Sequence, residues 1–157
     1  MRRTTTWVAA LALAVGGMAL SGVAEAKPKV DFAKVDVPAS PEAARVEKAF
    51  KQALAKAAKK ANFGKGKHVA LSARVLELTR EEHGDVLRIT CTAMGRVVGG
   101  AGAKSRISFG GDPAHRDELE NQVLAMVANG LVGRLAQIAR AASAAPPPVE
   151  AVPAPRR

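Results

Sequence analysis

The sequence is short of aromatic side chains and of cysteine. It has no Tyr, one Trp and four Phe in 157 residues. The Trp is Trp7, which lies in an amino-terminal segment that reads as a leader. Phe32, Phe50, Phe63 and Phe109 are then the only large rings left to the rest of the chain. Proteins that hold single-stranded nucleic acid without sequence preference stack bases on aromatic platforms. So few rings argue against that function, and equally against stacking on sugars. A single cysteine, Cys91, excludes an intrachain disulfide. The three histidines, His68, His83 and His115, are scattered and form no metal-ligand spacing. There is no strained-nucleophile motif of the G-x-S-x-G kind. Gly99-Gly100-Ala101-Gly102-Ala103-Lys104-Ser105 approaches a phosphate-binding loop but fails it. That loop needs Gly directly before the Lys and another Gly five positions earlier, where Ala103 and Val98 stand. No catalytic, cofactor-binding or metal-ligating constellation emerges, and the chain is expected not to be an enzyme. A triad assembled only in space would leave no local motif, so a small enzyme stays as a further alternative.

What the sequence does have begins with an address. Arg2 and Arg3 precede an apolar run of small residues from Trp7 to Val23. Ala24-Glu25-Ala26 then puts small residues at the two positions a signal peptidase reads. Residues 1–26 are expected to be a secretory signal cleaved after Ala26, making the protein periplasmic or secreted. The run approaches spanning length, so an uncleaved anchor is the alternative. The formal net charge of +10 falls to +9 when two arginines and one glutamate leave with this segment.

The centre of the chain, Ala70 to Phe109, reads as three antiparallel strands joined by tight turns. Val69, Leu71, Ala73 and Val75 alternate with polar neighbours at the two-residue period of a half-buried strand. The phase breaks at Leu76 and Leu78, which calls for a bulge near Val75 to Glu77 or for a strand covered on both faces. Glu81 to Asp85 is read as the first turn and Gly99 to Gly102 as the second. Between them Leu87, Ile89, Cys91 and Ala93 point one way, and Arg88, Thr90, Thr92 and Arg96 the other. In the third strand Ser105, Ile107 and Phe109 alternate with Lys104, Arg106 and Ser108. One face is therefore apolar and the other basic and hydroxylated. Cys91, on the apolar phase, is expected to be a small buried hydrophobe.

Ser40-Pro41-Glu42 signals a helix start, with Ser40 as the cap, and Gly64 a stop after about Asn62. Val46, Phe50, Ala53, Leu54, Ala57 and Ala61 form a narrow apolar stripe. Asp112-Pro113 repeats the start signal for a final helix to about Ala142. Its ladder of Leu119, Val123, Val127, Leu131 and Leu135 is the main cover for the sheet. Gly130 and Gly133 interrupt it, either for close packing or a bend, or by simple tolerance. Val30 to Val37 is a candidate fourth, edge strand. The fold class is thus α+β, a two-layer sandwich in which an antiparallel sheet of three or four strands is covered by two helices, in the order β-α-β-β-β-α. The domain spans 27–142. Residues 143–157 hold five prolines, which favour an extended, disordered tail.

In element order, residues 30 to 142 resemble the small periplasmic α/β modules typified by the TolB amino-terminal domain and the LpoB-type activators of cell-wall synthases. The resemblance implies an envelope protein that binds other proteins and has no chemistry of its own. It carries over no site, and the lipoprotein cysteine of the LpoB type is absent. The first expected partner is therefore an unidentified envelope protein, bound through the sheet edge or its exposed face. The second reading rests on Lys48, Lys51, Lys56, Lys59, Lys60, Lys65 and Lys67. These form either a solvated helix face or a binding face for an anionic lipid or wall polymer. Export and the scarcity of rings argue against nucleic acid, and no cofactor is expected.

Overall fold

A computed structural model describes residues 28–66 and 68–144. The expected signal, Lys67 and all of the expected tail except Ser143 and Ala144 lie outside the described residues. The elements are β1 (Lys29–Asp36), α1 (Ala43–Lys60), β2 (His68–His83), β3 (Val86–Val97), β4 (Gly102–Gly111) and α2 (Arg116–Ala144). A short 3-10 turn, Pro113–His115, leads into α2.

The strands form one sheet in the order β1-β2-β3-β4. Its three central and following strands are antiparallel, as the meander predicts. The first strand departs from the antiparallel expectation, because β1 runs parallel to β2 at the edge. The 18 residues of α1 supply the reason. A helical crossover returns the chain to the end of the sheet from which it started, which is how parallel neighbours are joined. The sheet is mixed and open, and both helices lie on one side of it.

The phase break in β2 is a bulge. Val75 faces Ala93 and Glu77 faces Thr92, which leaves Leu76 as the extra residue. The bulge returns Leu78 to the core side opposite Cys91 and leaves Leu76 42% exposed. β2 also runs further than its composition indicates. Glu81, Glu82 and His83 pair with Arg88, Leu87 and Val86, so the turn is only Gly84-Asp85, with Gly84 at a φ of +59°. Such two-residue loops need positive φ, which glycine adopts without strain.

Two helix starts with similar sequences behave differently. Asp112 caps as expected, its Oδ1 accepting from the Ala114 amide at 2.8 Å. Ser40 does not. α1 begins at Ala43, and its amide donates to the Ser40 carbonyl at 3.0 Å instead of to a side chain. The Glu42 carboxylate, next to the start, is held by arginines instead. α2 extends two residues past the expected Ala142, and Ser143 donates its hydroxyl to the Ala139 carbonyl.

α2 packs on β3, β4 and α1, so it is buried over a wide arc. Leu119, Val123, Val127, Leu131 and Leu135 are all buried, as are Leu124 and Val132 beside them. Phe50 and Leu54 of α1 and Leu71, Ile89 and Cys91 of the sheet complete the core. Each full-sized apolar side chain taken from water in this way contributes about 1.5–3 kcal/mol. By length and composition Pro113–Ala144 could cross a membrane, but half of its most apolar window is buried inside the fold, as in a core helix. Phe109 shares the phase of Ser105 yet is 43% exposed, because edge strand β4 carries it past the cover that α2 provides.

Candidate functional site

With both helices on one side, the other face of the sheet is left without a covering layer. The register defines its rows. Asp36, Arg74, Met94 and Lys104 lie side by side across the four strands. Lys34, Ser72, Arg96 and Gly102 form the adjacent row. On the other side lie Glu77, Thr92 and Arg106, then Thr79, Thr90 and Ser108. This is the basic, hydroxylated face that the alternation of β3 and β4 predicts.

The acids of this face already have partners. Asp36 Oδ2 is 3.1 Å from Lys34 Nζ and 3.2 Å from Arg74 Nη2. Asp31 Oδ2 is 2.8 Å from His68 Nε2 and 3.4 Å from Lys29 Nζ. The hydrogen bond from His68 is the main reason the Asp31 carboxyl is held below its ordinary value, and the bond from Lys34 does the same for Asp36. Thr92 donates to Glu77 at 3.3 Å, and Glu81 lies 3.6 Å from His83. Arg88, Arg96, Lys104 and Arg106 are exposed, and among the described residues none enters an ion pair. The face therefore carries excess positive charge concentrated on β3 and β4. A large apolar side chain, Met94, is 41% exposed among these cations. A depression of ≈ 290 Å³ runs beside Met94, lined by Lys34, Asp36, Ser72, Arg74 and Arg96.

The lysine set expected from the sequence lies elsewhere. Lys48, Lys51, Lys56, Lys59 and Lys60 are exposed on the back of α1, opposite the buried stripe of Val46, Phe50, Leu54 and Ala57. Lys51 pairs with Glu47 one turn earlier. Lys56, Lys59 and Lys60 have no ion-pair partner among the described residues. Lys65 follows in the exposed loop after α1 and has an interaction partner, and Lys67 lies outside the described residues. The molecule thus presents two basic surfaces, one on each outer side of the two-layer sandwich.

One cluster escaped sequence reasoning. Glu120 of α2 is 1% exposed and accepts from Arg80 Nε at 2.7 Å, with Arg80 Nη2 on the same oxygen. Its other oxygen lies 2.9 Å from Arg45 Nη2, without the alignment of a hydrogen bond. Arg80 also reaches Glu42 at 2.7 Å, and Arg45 reaches Asp117 at 3.1 Å. The network ties the first turn of α1 to β2 and to the first turn of α2. It holds charge in a fixed place rather than offering a reactive group. The available signal was Glu120 itself, a carboxylate on the apolar side of α2 between Leu119 and Val123.

Cys91 is fully buried, and its thiol is pushed up to about 12, by burial first and then by the charges of Glu120 and Glu77. A neutral buried thiol is not a nucleophile. The glycine-rich Gly99 stretch is a turn with Gly99 at a φ of +76°, leading into β4 rather than into a helix. Among the described residues no group of three His, Cys, Asp or Glu is placed to hold a metal ion. A mainly apolar hollow of ≈ 350 Å³ lies between β1 and the end of α1 beside Phe32 and Phe63.

No known protein family matches the chain, and no curated protein is similar to it in sequence. It is similar in structure to a minor lipoprotein of Acinetobacter baumannii, at 14% identity and a TM-score of 0.39, over 66% of this chain and 92% of that one. It is also similar to a candidate lipoprotein of Caulobacter crescentus CB15, at 12% identity and a TM-score of 0.43, over 71% and 92%. The protein CT253 of Chlamydia trachomatis shares 12% identity at a TM-score of 0.46, over 74% and 99%. The likeness is one of small α/β layout. No specific match to a TolB domain or an LpoB-type activator is shown among these three.

Proposed function

We propose that the protein is an exported, non-enzymatic envelope protein that binds another protein through the uncovered face of its sheet. One observation carries this reading. A four-stranded sheet packs one face under two helices and leaves the other bare, with unpaired cations and exposed Met94 upon it. A sheet face that only needs to be wet does not require large apolar side chains among arginines, whereas protein interfaces combine apolar anchors with arginine. The leader-like residues 1–26 support export, to the periplasm or beyond.

The test is affinity capture from the native envelope with the mature protein and two variants. Thr90→Trp with Ser108→Trp obstructs the open face, where the two hydroxyls are bonded at 2.9 Å. Lys56→Trp obstructs the back of α1. A partner retained through a high-salt wash and lost only from the open-face variant supports the reading. A partner indifferent to both changes, or a turnover abolished by changing one polar residue, contradicts it.

A second reading is favoured by the unpaired Lys56, Lys59 and Lys60. It makes the back of α1 a binder of anionic lipid or wall polymer. Unaltered binding to anionic vesicles after changing all three to Gln would exclude it.

A further inference from the structure

We propose that the centre of the open face is a docking site for an acidic polypeptide segment carrying an apolar side chain, with Met94 as the anchor point. The proposal rests on the reading of this face as the binding surface and names what it binds. Met94 is flanked in its own row by Arg74 on β2 and Lys104 on β4. Arg96 stands two residues further along the same strand, and Arg106 lies diagonally across on β4. Cross-strand neighbours are about 5 Å apart and same-face neighbours along a strand about 7 Å. A partly exposed thioether is therefore ringed by four cations at contact spacing, beside a depression of ≈ 290 Å³.

The fold gives these cations little in return. Of the four, only Arg74 has an ion-pair partner, Asp36, which it shares with Lys34. Unpaired like charges on adjacent strands repel one another. An incoming carboxylate relieves that repulsion, and arginine presents a fork suited to it. Met94 decides between kinds of anion. A uniformly charged polymer has nothing to set against an exposed apolar side chain, whereas a peptide with a Leu or Phe among its acids does. No aromatic side chain stands on this face to stack a base or a sugar, which disfavours nucleic acid. Methionine and arginine are both enriched at the cores of protein interfaces.

The probe is a short fluorescent peptide with a central Leu flanked by Glu and Asp, titrated into the full mature chain and followed by anisotropy. Its comparators are the same peptide with Gly for Leu, and polyglutamate. Arg96→Gln with Lys104→Gln should weaken the Leu peptide about tenfold. Met94→Ala should weaken it about fivefold and leave polyglutamate unchanged. Lys56→Gln with Lys60→Gln, on the other side of the molecule, should change nothing. The changes are at exposed positions, where substitutions leave the fold intact. Equal binding by wild type and the Arg96/Lys104 variant overturns the proposal. So does equal binding of the Leu peptide and polyglutamate with no effect of Met94→Ala, which would make the face an anionic-polymer site. If these results appear while a native partner is still lost from the Thr90/Ser108 variant, the docking chemistry is wrong and the binding surface stands. If that loss is also absent, both fail.

Discussion

Gly130 and Gly133 look alike in the sequence, and their surroundings separate them. A Cβ at Gly130 would lie 2.9 Å from the buried Ser105 hydroxyl, so this glycine serves the close approach of α2 to β4. A Cβ at Gly133 would meet nothing within 4 Å. Gly133→Ala should therefore raise stability by about 1 kcal/mol, the helix-propensity difference, as measured by chemical denaturation. Gly130→Ala should gain less or lose stability, and equal gains at both positions would contradict the close approach. Cys91 is the opposite case, a residue whose setting the alternation alone foretold. Its folded thiol ionises higher than the ordinary value of 9.0, so its contribution to stability is complete below that value and is lost as pH rises toward about 12. Native protein at neutral pH should resist thiol reagents, and reaction as fast as in denaturant would refute its burial. Glu120 and Arg80 were not legible, because they are 40 positions apart and meet only once the helices are packed on the sheet.

At the level of elements, alternation and cap signals located every strand and helix of the described region. Direction and length were harder to read. No pattern within Val30 to Val37 says whether it runs with or against β2, since only the path of α1 decides that. The two branches of the Leu76 phase break were equally compatible with the sequence until Val75 and Glu77 were seen to pair with adjacent residues of β3. The junction of α1, β2 and α2 is held by Glu120 between two arginines. Removing that carboxylate leaves Arg80 and Arg45 to share Glu42, with Asp117 for Arg45 alone. Glu120→Ala should cost about 3 kcal/mol, near the low end for breaking a buried pair because both arginines keep some water. A loss under about 1 kcal/mol would show that the network is solvated and incidental.

For the whole molecule, polar satisfaction and working charge are divided between two sides. The acids of the open face are spent on the β1–β2 edge, where Asp31 and Asp36 have carboxyls held below the ordinary 3.8. Groups lowered in the folded state add stability above their unfolded value and lose it as pH falls through the folded one. Acid unfolding should therefore begin below about pH 3.8 at this edge, and Asp36→Asn should flatten that limb of the curve. The cations of β3 and β4 remain free, and binding there should weaken as salt shortens the screening length. The face was visible in the sequence as an alternation of basic and hydroxyl residues. Its lack of a covering layer was not, because two helices could have been placed on either side.

Site-specific photo-crosslinking in the native envelope tests the central claim most directly. A photoreactive residue is placed at Ser108 on the open face and, separately, at Lys56 on the back of α1. The open face as working surface predicts one discrete protein adduct from position 108 and none from position 56. A discrete adduct from position 56 alone would move the function to the lysine face and contradict the account.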